Sequence, residues 1–134
     1  MESALPAYTR AVPQTTIDHE VERLGLPGPY FIKFDTHGFE RDILARAQRT
    51  LSQTRLIQME MYNFEYRPEI GMHRTIGHLH DLGFRCSDIF DPLWRPNDHA
   101  FWQIDMLFEP QRAHVFASDD FAASMPRHDV AVPV

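Results

Sequence analysis

Two short apolar runs constrain this chain most: YFIKF at residues 30–34 and RLIQMEM at residues 55–61. Both are rich in aromatic and branched residues and neither alternates cleanly, which suits strands covered on both faces. Between them FERDILARAQRTLS reads as one helix, residues 39–52, with Phe39, Ile43, Ala47 and Leu51 spaced by four and Leu44 widening the stripe. A strand, an amphipathic helix and a second strand predict a parallel pair in a sheet with helices on its faces.

The flanking segments extend the alternation. TTIDHEVERLGLPG predicts a helix capped by Thr15 or Thr16 and stopped near Gly25, with Ile17, Val21 and Leu24 on one face. HRTIGHLHDLG predicts a further helix on Ile76, Leu79 and Leu82, ended by Gly83. FRCSDIF is a third strand, stopped by Asp91 and Pro92. LWRPND reads as a loop and AFWQIDMLFE as a last strand. One of its faces is apolar (Trp102, Ile104, Met106, Phe108), and the other is mixed (Phe101, Gln103, Asp105, Leu107). Residues 109–134 read as a surface tail.

Composition excludes several classes. With 134 residues the chain has the size of one domain. A formal charge of -6 argues against nucleic acid as a partner. No apolar run approaches the roughly 20 residues that cross a bilayer, and the start lacks the apolar region of a secretion signal. The single cysteine, Cys86, leaves no internal disulfide and no Cys-rich zinc site. A cytoplasmic protein without membrane or nucleic-acid partners is expected.

Ligands of parallel sheets bind beyond the carboxyl ends of the strands. Asp35 and Glu60 stand at those ends, on one rim if the two strands pair directly. Two carboxylates there can bind a hydroxyl-bearing substrate, hold a cation or take a proton; the bland alternative is that they cap helices or face solvent. Gly38 permits positive φ or close approach of a ligand, and Glu40 suits a helix N-terminus whatever the function. Lys33, in mid-strand, is a weak candidate. Tyr62, Phe64 and Trp94 can wall a pocket or pack a loop over the sheet edge. His73, His78 and His80 read as solvated surface residues, and no metal ligands are assigned.

The order TID (Thr16 to Asp18), KFDTHGFE (Lys33 to Glu40) and a strand ending in glutamate (Glu60) resembles the FkbM-type methyltransferase family, C-terminal half only. The likeness covers roughly residues 12–108 and includes LGFR, DIFDPLWR and WQIDMLF. It implies a partial class I methyltransferase (Rossmann-like) α/β sheet, strands four to seven with flanking helices. It also implies transfer of a methyl group from S-adenosylmethionine to a hydroxyl acceptor. Asp35 and Glu60 would lie near the transfer centre, with Gly38 giving the turn its backbone freedom and Glu40 at the start of the following helix; His37 would tune acceptor binding. His37 stands where the family often has glutamate or glutamine, and Arg46 precedes Ala47 where it usually reads glycine-alanine.

The residues before Phe31 are too few for three strands with their crossover helices, and they hold no GxGxG-like run. The expectation is therefore a fragment without its donor-binding half, inactive alone and not itself binding S-adenosylmethionine. Its YFIKF edge would be left for a complementing N-terminal half or for self-association. The alternative is a non-catalytic remnant or protein-interaction module.

Overall fold

A computed structural model describes residues 12–64 and 71–122. Helix α1 (Ile17–Leu24) starts where the Thr16 side chain accepts the His19 N–H at 3.1 Å. It ends where Gly25, at φ 61°, turns left-handed and donates to the Glu22 carbonyl. Strand β1 (Tyr30–Phe34) follows.

The helix expected over 39–52 is two short ones, α2 (Glu40–Ala45) and α3 (Gln48–Ser52). Arg46 and Ala47, at ψ 20° and 24°, break the repeat. The break turns Ala47 fully inward while Arg46 stays outside. Opening a helix in mid-segment frees backbone N–H groups, and Ala47 has no side chain to cap them. Asp18 of α1 does so from a distance. Its carboxylate accepts the N–H groups of Arg49 and Thr50 at 3.1 and 2.8 Å, and the Thr50 hydroxyl at 2.7 Å.

Strand β2 (Thr54–Tyr62) lies parallel to β1 with Phe34 beside Met59. Helix α4 (Met72–Asp81) leads into β3 (Phe84–Trp94), and β4 (Phe101–Pro110) closes the sheet. The strand order is β1-β2-β4-β3, and β4 runs antiparallel to both its neighbours. The sheet is thus mixed, not wholly parallel as expected. β3 does not stop at Asp91 and Pro92 but continues to Trp94 through register shifts, with Asp91 at φ 50°. An edge strand tolerates this, because its outer N–H positions have no ladder partner for proline to remove. β4 includes Pro110, and a 3₁₀ turn follows at His114–Phe116 with the Arg85 guanidinium over the Phe116 ring at 4.8 Å.

The core explains why the sheet has two unlike faces. Ile57, Met59 and Met61 stand opposite Phe108, Met106 and Ile104, and these pack with Leu44, Ala47, Leu51 and Leu79 from the helices. The alternate positions, Gln58, Glu60 and Tyr62 against Leu107, Asp105 and Gln103, face the other way and are half-buried. Among the described residues no helix is long and apolar enough to cross a membrane.

Asp18→Ala should cost about 1–2 kcal/mol, as loss of a helix cap does, read as a lower urea midpoint with an unchanged slope. Burial pushes the Asp18 carboxyl up, but the bonds from Thr50 and Arg49 outweigh it and hold it below its ordinary 3.8. Its contribution is therefore full above that value and is lost as pH falls through the lower folded one. The gap between wild type and variant should close only in acid.

Candidate functional site

The register that pairs Phe34 with Met59 sets Asp35 next to Glu60 at the carboxyl ends of β1 and β2. Beyond Asp35 the chain reverses through two left-handed residues, His37 at φ 45° and Gly38 at φ 111°. The left-handed region costs a non-glycine residue about 1–2 kcal/mol, so something must hold this turn. Glu40 does. Both its carboxylate oxygens accept the Gly38 N–H, at 3.0 and 2.9 Å, and one accepts the Thr36 hydroxyl at 2.9 Å. Glu40 is spent on the turn, which gives it a structural role.

The turn folds the imidazole of His37 back over the strand end. Its Nε2 stands 3.3 Å from Asp35 Oδ1, and its Nδ1 stands 2.7 Å from the Tyr62 hydroxyl. That hydroxyl donates to Glu60 Oε2 at 3.0 Å, while Gln103 Nε2 donates to the other Glu60 oxygen. A phenol has one proton, so with Glu60 as its acceptor the Tyr62 oxygen receives the Nδ1–H of His37. Burial, then the hydrogen bond to Glu60, raises the Tyr62 pKa far above its ordinary 10. The phenol therefore remains a donor at neutral pH.

Asp35, His37 and Glu60 can each bring one ligating atom within 4.8 Å of the other two. Asp35 and His37 are exposed and Glu60 is half-buried. Among the described residues neither carboxylate pairs with a lysine or arginine. The rim is open, acidic and lined with oxygen and nitrogen lone pairs.

Other sequence candidates fall elsewhere. Lys33 lies on the exposed face of β1 in register with Gln58. Phe64 stacks on Trp102 at 5.3 Å between centroids and lies under the Arg95 guanidinium at 4.3 Å, so its ring packs the loop. Trp94 tilts against Phe101 on the β3–β4 hairpin and is not part of the cluster. His78 is not the solvated residue expected: its Nε2 is buried without a hydrogen-bond partner among the described residues. Burial, then the charge of Arg41, lowers its pKa. Gln103 went unassigned in the sequence, where the signal was a polar residue on the mixed face of the last strand. A cavity of about 260 Å³, lined by Leu51, Ser52, Leu82, Phe84 and Arg112, lies at the other end of β2, away from the carboxylates.

A family model described as the methyltransferase FkbM domain matches residues 2–86. The chain belongs to the FkbM methyltransferase family. The match corrects the expectation of a C-terminal half spanning 12–108: it begins at residue 2, lies in the N-terminal part of the chain and ends within β3. The reading of a fragment with its donor-binding half absent, inactive for that reason, does not stand against it. No curated protein and no solved structure matches the chain.

Tyr62→Phe should remove one tyrosine from the ultraviolet titration, and the difference from wild type should show that phenol ionising only above pH 10. A difference centred at the ordinary value would mean that the Tyr62–Glu60 bond does not form in solution.

Proposed function

We propose that this FkbM-family chain binds S-adenosylmethionine and takes part in methyl transfer to a hydroxyl group of a small molecule. The observation that carries the reading is the convergence of Asp35, His37, Glu60 and Tyr62 on the strand ends. In this reading β1 and β2 correspond to the fourth and fifth strands of a class I methyltransferase sheet, and the protein is cytoplasmic.

When bound, S-adenosylmethionine supplies an electrophilic methyl group. An acidic rim whose carboxylates pair with no described lysine or arginine suits the positive charge of its sulfonium. The rim would therefore face the sulfur of the donor and the acceptor hydroxyl, and no described residue is assigned to the rest of the donor. A hydroxyl is a poor nucleophile until its proton is shared, and Asp35, exposed at the rim, can share it. Asp35 would take the acceptor's proton as its oxygen bonds the methyl group, the electrons of the broken S–CH₃ bond staying with the departing S-adenosylhomocysteine. His37 and Tyr62 shape the approach: the phenol orients the Glu60 carboxylate, and the imidazole stands beside Asp35 Oδ1.

Methyl transfer from S-adenosylmethionine should be measured against a panel of hydroxylated metabolites. Asp35→Asn keeps the shape and removes the base, and should lower transfer by about 10²–10⁴-fold. Donor affinity, read by calorimetry with S-adenosylhomocysteine, should change little. Undiminished transfer by the variant would take Asp35 out of the chemistry. A folded chain that neither binds S-adenosylhomocysteine nor transfers methyl would overturn the whole reading.

A further inference from the structure

We propose that Asp35, His37 and Glu60 form a binding site for one divalent transition-metal ion, of which Mn²⁺ is the representative probe. The proposal rests on the acceptor-side reading above, since the ion would sit where the acceptor hydroxyl arrives.

The first argument is donor geometry. Ligands about 2.1 Å from an octahedral ion lie about 3.0 Å apart along each edge. Asp35 Oδ1 and His37 Nε2 are separated by 3.3 Å, close to one such edge. The Glu60 oxygen lies within the same 4.8 Å group. One imidazole and two carboxylates on one side of an ion leave positions for water or a hydroxyl. The mixed donor set narrows the metal: carboxylates suit Mg²⁺, Ca²⁺ and Mn²⁺, whereas a ring nitrogen suits Fe²⁺, Ni²⁺ or Zn²⁺, and Mn²⁺ serves as a probe for the two-carboxylate part of the set.

The second argument is charge. No lysine or arginine pairs with Asp35 or Glu60 among the described residues, so the two carboxylates share the rim with the imidazole alone. A divalent cation seated among all three would offset both charges at once.

The third argument is the layer behind the ligands. Metal-bound histidines donate their second ring N–H to an acceptor, and ligating carboxylates are hydrogen-bonded in turn. Here His37 directs Nδ1–H at Tyr62, while Tyr62 and Gln103 hold the two Glu60 oxygens. Each contact fixes the position of a side chain in the cluster. An acidic patch alone would have neither the imidazole nor this backing.

Calorimetric titration of the full chain with Mn²⁺ tests the site directly. Saturable binding of one ion per chain is expected. His37→Gly removes a ligand while suiting the left-handed φ of 45°, so it should leave the fold intact by circular dichroism. It should weaken Mn²⁺ at least 10-fold, as should Glu60→Gln. Absence of saturable binding by the folded chain, or binding that both variants retain in full, would overturn the proposal. Methyl transfer measured in chelator separates this claim from the functional one. Transfer undiminished by chelator, together with no Mn²⁺ binding, overturns the metal site and leaves the methyltransferase reading. Mn²⁺ binding that the variants weaken, in a chain that transfers nothing, supports the metal site and overturns the other.

Discussion

Everything at the candidate site depends on the parallel pairing of β1 with β2. With Phe34 beside Met59, both side chains enter the core, and the next residue on each strand, Asp35 and Glu60, is delivered to the opposite face. A slip of one residue would bury a carboxylate and expose a core side chain. The core therefore fixes the site: Phe34, Ile57, Met59 and Met61 hold the register, and burying a charge would cost more than any nearby contact returns. The face that carries Asp35 and Glu60 is the reverse side of the packed face.

The turn after β1 shows how local strain and local bonding are matched. Two successive residues take positive φ, and Glu40 holds the reversal through the Gly38 N–H and the Thr36 hydroxyl. His37 is thereby set over Asp35 and within reach of Tyr62. Farther away, the break at Arg46 and Ala47 lets Ala47 enter the core, and Asp18 caps the helix that starts after it. Acidic residues thus serve two purposes. Asp18 and Glu40 are consumed by backbone N–H groups, whereas Asp35 stands beside His37 and Glu60 accepts from the side chains of Tyr62 and Gln103.

Much of this was legible in the sequence, for reasons particular to each element. YFIKF and RLIQMEM announced strands because their apolar runs are short, and Gly25 announced its helix end because it is the residue that turns left-handed most readily. The placement of Asp35 and Glu60 followed from their position at the strand ends. The split between α2 and α3 was hidden, because Ala47 keeps the four-residue spacing whether or not the helix is continuous. The antiparallel insertion of β4 was hidden too, since hydrophobic pattern does not state strand direction. β3 ran past Pro92 because an edge strand has no bond there to lose. The cluster around His37 could not be read at all, since it depends on a left-handed turn and on a tyrosine far along the chain. Reading the chain as the C-terminal half of a domain was an error of inventory. It treated a missing glycine-rich motif as a missing half, and the family match over residues 2–86 corrects it.

The measurement that tests the central claim most directly is a nuclear magnetic resonance titration of the labelled chain with S-adenosylhomocysteine. The account predicts that amide shifts concentrate at residues 35–40 and 60–64, where the two parallel strands end. Shifts confined to the cavity at the other end of β2, around Leu51, Leu82 and Phe84, would contradict it, as would a folded chain whose spectrum does not change.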